Sequence, residues 1–136
     1  MISFTSNTNF QLKNKSASTS WIKKVVQKEG RKMKELSFVF CNDIDLLDKN
    51  SKYLNNNNFT DILTFDYSEN NNISGDIYIS IDRVKENAKT YKVAFQNELD
   101  RVMIHGILHL LGYKDKSKKE QKIMRDKEDF YLSLQT

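Results

Sequence analysis

Two histidines, His105 and His109, are all the chain has, and they stand four residues apart in the segment MIHGILHLLGYKDKSKKE, residues 103 to 120. Random placement gives that spacing about once in 70 trials, so the pair needs a reason. On a helix, positions i and i+4 lie one above the other on the same face. Two imidazoles placed so can converge on one divalent cation, each at about 2.0–2.1 Å. A catalytic metal usually takes three protein ligands and keeps one open position. Gly112 permits the left-handed conformation that turns a chain off a helix end, and three residues further Asp115 can return to the ion. His105, His109 and Asp115 are therefore expected to hold one zinc ion and to carry the catalysis, with manganese or nickel left open by the oxygen ligand. The competing reading is a pair of core imidazoles satisfied by backbone groups, with Asp115 an ordinary surface carboxylate among lysines.

The pattern H-x3-H-x2-G-x2-D resembles the extended zinc-binding motif of metzincin proteases, with aspartate as third ligand. In that motif a glutamate follows the first histidine and serves as general base. Here the position is Gly106, which argues against a conventional protease mechanism and leaves water acidified by the metal as the expected nucleophile. Glu98, Arg101 and Val102 fall one to two turns before His105 on its side of the helix. A carboxylate such as Glu98 is within reach to orient an imidazole; the favoured reading for Glu98 and Arg101 is a solvated first turn.

These residues need a rigid helix beneath them. Phe95 to Leu111 is apolar around most of its circumference, which predicts a central, buried helix ended by Gly112. Ser117 and Glu120 form a capping box that opens a final helix, whose inner face is expected to carry Ile123, Met124, Phe130, Tyr131 and Leu134. Upstream, Ile2–Thr5 predicts a short strand. Trp21, Ile22, Val25 and Val26 recur at helical spacing before Gly30. Leu36–Phe40 predicts a second strand, and Asn42 caps a helix reaching Tyr53. Asp61–Phe65 and the alternation Ile77, Ile79, Ile81 predict two more strands. Val84, Ala88 and Tyr91 mark another helix, and Asn55–Asn58 and Asn70–Asn72 read as loops. The order implies one α+β domain over residues 1–136, with a mixed sheet of about four strands packed with about five helices.

Composition narrows the setting. With 38% hydrophobic residues and eight Phe in 136 positions, the chain can bury one core of ordinary size. No apolar run reaches the eighteen residues of a membrane span, and the N-terminus shows no signal-peptide pattern. Cys41 is the one cysteine, cannot form an internal disulfide, and reads as a buried small hydrophobe; a cytoplasmic protein is expected. The net charge of +4 is unevenly spread. Eight basic residues lie between Lys13 and Lys34, and a second group runs through Lys114, Lys116, Lys118, Lys119, Lys122, Arg125 and Lys127. Such clusters suit a polyanion, nucleic acid first, although drift toward Lys and Asn explains them as well.

The run His105-Gly106-Ile107-Leu108-His109-Leu110-Leu111-Gly112-Tyr113 is similar to the signature of the YbeY family. Thr60-Asp61-Ile62-Leu63-Thr64-Phe65 and Gly75-Asp76-Ile77 resemble two of its strand motifs. The resemblance implies a metal-dependent endoribonuclease acting on single-stranded ribosomal RNA, in maturation of the small-subunit 3′ end and in ribosome quality control, with the small ribosomal subunit as partner. Two departures stand out. Asp115 falls where the family has a third histidine, with Lys114 where an aspartate is usual. Tyr53-Leu54 aligns with a Tyr-Arg pair, so an arginine implicated in RNA handling is missing; Lys52 or Arg101 can replace its charge, or activity is reduced. Lys114, Lys116 and Lys118 are placed to hold flanking phosphates, and Tyr113 or Phe65 to stack on an unpaired base. Two other functions fit the same residues: a metal-dependent hydrolase of another substrate such as peptides, and a non-catalytic ribosome-assembly factor with a structural metal.

Overall fold

A computed structural model describes residues 1–54 and 60–135, the side chains of residues 53 and 54 excepted. Asn55–Asn58 and the side chains of Tyr53 and Leu54 thus lie outside the described residues. The described elements run β1 (Ile2–Ser6), α1 (Lys15–Lys28), β2 (Lys32–Cys41), α2 (Asp43–Leu54), β3 (Ile62–Asp66), β4 (Asn72–Ser80), α3 (Ile81–Tyr91), α4 (Phe95–Leu110) and α5 (Lys118–Ser133). The sheet order is β1-β2-β4-β3. β1 and β4 flank β2 in parallel, and β3 pairs antiparallel with β4. This is the expected mixed four-stranded α+β architecture.

Alternation along the strands sorts the two faces. Leu36, Phe38 and Phe40 stand opposite Gly75, Ile77 and Ile79 and, with Ile73, join the main core beneath α1 and α4. The opposite face carries a smaller cluster, Cys41, Leu46 and Leu63 with Phe65 and Tyr78, under α2. Cys41 is buried, and burial pushes its thiol up to about 11, so it stays an inert apolar side chain at neutral pH.

α4 lies close on the sheet, and two glycines permit it. A Cβ at Gly75 would meet the Phe65 carbonyl oxygen at 2.5 Å and Leu110 at 2.9 Å. A Cβ at Gly106 would stand 3.0 Å from both Ile62 and Ile77. Gly106 therefore faces the sheet, and a glutamate there would run into Ile62 and Ile77 rather than toward the histidine edge. The helical position used by protease bases is taken up by packing.

Several boundaries differ from the sequence reading. Ile81 is not a strand residue. Ser80 caps α3, its hydroxyl accepting from the Arg83 N–H at 3.2 Å, and Ile81 continues the apolar alternation because the first turn of α3 is itself buried. Asn72 already belongs to β4, and Asn70 takes the left-handed conformation (φ 54°) in the turn before it. Tyr91, Ile123 and Phe130 are exposed at 60, 43 and 48%; on α5 the buried stripe is Met124, Glu128 and Tyr131. A carboxylate, not an aromatic ring, occupies its middle.

Candidate metal centre

α4 places His105 and His109 one turn apart, and its C-terminus does the rest. The Gly112 N–H bonds the His109 carbonyl at 3.0 Å, and the Tyr113 N–H bonds the Leu108 carbonyl at 3.0 Å. With Gly112 at φ 104°, this is the Schellman closure its glycine predicts. The chain doubles back, and Asp115 returns over the two rings.

The three donor atoms form a nearly equilateral triangle. Nε2 of His105 and Nε2 of His109 are 3.0 Å apart, and Oδ2 of Asp115 lies 3.2 Å from the first and 3.3 Å from the second. Bonds of about 2.05 Å in tetrahedral array separate neighbouring ligand atoms by about 3.3 Å, the product of 2.05 and 1.63. Two imidazoles and one carboxylate with those edges fit one face of such a tetrahedron. The donor set and its spacing suit a divalent cation, and all three residues are partly exposed.

Each imidazole is oriented from behind. Nδ1 of His109 donates to the Tyr113 backbone carbonyl at 3.1 Å, since a carbonyl can only accept. Nδ1 of His105 meets Oε2 of Glu128 at 2.6 Å. These contacts put the ring protons on Nδ1 and leave both Nε2 atoms to the centre. The two Nε2 atoms face one another at 3.0 Å across the triangle. Burial alone would lower the pKa of His105, but the Glu128 hydrogen bond and charge, with Asp115 and Asp61, raise it above the usual value. A divalent cation held by the triangle would compete with protons for these Nε2 atoms.

Glu128, not Glu98, thus orients His105, which corrects the role expected for Glu98. Nor is Glu98 a solvated first-turn residue: it is 6% exposed, and burial followed by the neighbouring charge of Asp61 raises its pKa. Arg101 is not a surface cation either. It donates to Glu128 at 3.0 Å and to Asp129 at 2.7 Å, so its charge serves the carboxylate behind His105.

The sequence reading also missed Asp61, which lines the same cleft. Burial raises its pKa against the opposing charge of His105. Beside His105 and Asp115, the cleft of about 620 Å³ is bounded by Asp61, Glu98, Glu128 and, on its outer wall, Arg125. Of the proposed stacking rings, Tyr113 has its hydroxyl on Glu29 at 2.6 Å and Phe65 packs edge-on against Tyr78.

The sequence and the fold have counterparts. A family model described as Endoribonuclease YbeY matches residues 2–135. A protein of Flavobacterium psychrophilum named Endoribonuclease YbeY is 47% identical over 134 residues, covering 98% of this chain and 96% of that protein. A protein of the same name from Karelsulcia muelleri is 51% identical over 132 residues, covering 97% of this chain and 94% of the relative. A solution structure of a Thermotoga maritima protein superposes with a TM-score of 0.68 at 28% identity, over 98% of this chain and 87% of the other. Identity near one half along almost the whole length admits one conclusion: the chain belongs to the YbeY family.

Proposed function

We propose that this protein is a zinc-dependent endoribonuclease that cuts single-stranded ribosomal RNA in the cytoplasm, maturing the 3′ end of the small-subunit RNA and serving ribosome quality control. The observation that carries the reading is the His105–His109–Asp115 triangle, whose 3.0–3.3 Å edges suit one tetrahedral divalent cation. The relatives named Endoribonuclease YbeY support the reaction class.

When bound, a divalent cation at the triangle supplies Lewis acidity toward a phosphoryl oxygen and acidifies water. The chain's own residues supply the rest. Glu128 and the Tyr113 carbonyl hold the imidazoles in one tautomer. Exposed Lys114 and Lys116 stand on either side of Asp115 and favour a phosphate backbone electrostatically. The open cleft accepts an unpaired strand.

Arg101 does not stand in for the family arginine missing at Leu54. Arg101 is engaged with Glu128 and Asp129. Arg125, 63% exposed at the cleft wall and 3.9 Å from Glu128, is the guanidinium best placed for a phosphate. A peptidase reading loses support because position 106 faces the sheet.

The test is cleavage of single-stranded ribosomal RNA by zinc-loaded protein, with His109→Ala alongside. Activity lost in the variant supports the proposal. Equal cutting by His109→Ala exposes a contaminating nuclease, and RNA binding without cutting favours an assembly factor with a structural metal.

A further inference from the structure

Two helix ends marked by glycine meet in this fold. α1 closes at Gly30 as α4 closes at Gly112: the Gly30 N–H bonds the Gln27 carbonyl at 3.0 Å and the Arg31 N–H bonds the Val26 carbonyl at 3.1 Å. Glu29 immediately precedes the first glycine, and Tyr113 immediately follows the second. The Tyr113 hydroxyl donates to Oε1 of Glu29 at 2.6 Å. That one contact joins two chain reversals 84 residues apart.

Glu29 does not move freely with its partner. Its Oε2 accepts the Tyr131 hydroxyl and the Lys127 ammonium at 3.3 Å, both from α5. The Lys127 ammonium also lies 5.6 Å from the centre of the Tyr113 ring. Burial alone would raise the Glu29 pKa, yet the hydrogen bonds from Tyr113, Tyr131 and Lys127 hold it below its usual value. The carboxylate is a charged anchor fixed by a neighbouring helix.

What it anchors is the loop of the triangle. Tyr113 lies two residues before Asp115, and its carbonyl is the acceptor that orients His109. The Gln121 amide also donates to the Asp115 carbonyl at 3.1 Å, at an exposed position. We propose that Glu29 is a positioning residue of the metal centre: by holding Tyr113 from α1 and α5, it sets both the Asp115 carboxylate and the His109 ring for a divalent cation. The inference rests on the reading that the triangle binds metal. It extends the centre to the residue that caps the first helix, which bonds the loop and not the three ligand side chains.

Ordinary packing is the rival explanation, and a matched control separates the two. Trp21 Nε1 donates to the Tyr131 carbonyl at 2.8 Å, joining the same two helices without touching the loop. Full-length wild type, Tyr113→Phe, Glu29→Gln, Glu29→Ala and Trp21→Phe are titrated with cobalt(II) against a chelator. The visible spectrum of the bound ion and urea unfolding of the metal-free protein are recorded in parallel. Tyr113→Phe and Glu29→Ala are expected to bind cobalt about ten- to a hundredfold more weakly with altered visible bands. Glu29→Gln keeps an acceptor and should fall between them and wild type; if either harsher variant fails to fold, this one decides. Trp21→Phe should lose stability and keep its affinity and spectrum. Wild-type affinity and bands in the folded Glu29 and Tyr113 variants overturn the proposal, and so does an affinity that merely tracks stability across all five proteins. If wild type itself takes up no cobalt, the metal reading falls first, and this inference with it.

Discussion

Glu128 on α5 and His105 on α4 meet at 2.6 Å, carboxylate oxygen to Nδ1, across the interface of the two helices. The pair is nearly closed to solvent on the glutamate side, where Glu128 is 4% exposed, and Arg101 completes it at 3.0 Å. A buried carboxylate so placed raises the basicity of the imidazole and fixes which nitrogen is left facing His109 and Asp115.

Replacing Glu128 with Gln should weaken metal binding about ten- to a hundredfold with the fold retained. Chelator competition measures the affinity and circular dichroism the fold. Unchanged affinity would show that the α4 helix alone orients the ring.

How much of this was legible in the sequence depends on the range of each interaction. The histidine pair, the turns at Gly30 and Gly112, and the caps at Asn42 and Ser117 follow from rules spanning three to five residues, and all appear in the structure. Glu128 did not, because it lies 23 residues from His105 and only the packing of α5 on α4 joins them. A signal existed: Glu128 falls between Met124 and Tyr131 at helical spacing, a charge inside an apolar stripe, and such a charge needs a buried partner. Glu98 was the nearer choice along α4, but it sits two turns below His105 while Nδ1 points at the neighbouring helix. The Glu29–Tyr113 contact, 84 residues apart, left no local trace at all.

Two arginines of one cleft should behave differently. Arg125→Ala is expected to weaken RNA binding similarly across sequences and to reduce the salt slope of log K by about one. Arg101→Ala should leave the slope alone and lower metal affinity through Glu128. Binding titrations over a range of salt concentrations check both, and a slope change with Arg101 instead of Arg125 would reverse the assignment.

The close approach at Gly106 makes a protease-like variant self-defeating. Gly106→Glu would push a carboxylate against Ile62 and Ile77. Overpacking and burial of an unpaired charge together should cost more than about 3 kcal/mol. Urea denaturation measures this; a stable variant with new peptidase activity would contradict the packing account.

Acid should act through Asp43. It accepts from Ser80 at 2.7 Å and from Arg83 at 2.7 Å. Although burial would raise its pKa, those hydrogen bonds and the Arg83 charge lower it. A carboxylate depressed on folding stabilises the protein above its unfolded pKa of about 3.9, and that contribution is lost as pH falls through the lower folded value. Asp43→Asn should therefore be less stable than wild type by about 1–2 kcal/mol at neutral pH, with the gap closing as pH drops below about 3.9. A gap independent of pH would assign the effect to shape, not charge.

The central claim is that three side chains share one cation, and elemental analysis of the purified native protein tests it most directly. About one zinc per chain, lost in His105→Ala with the fold preserved, is the predicted result. A native protein free of metal, or an unchanged metal content in His105→Ala, would contradict the account.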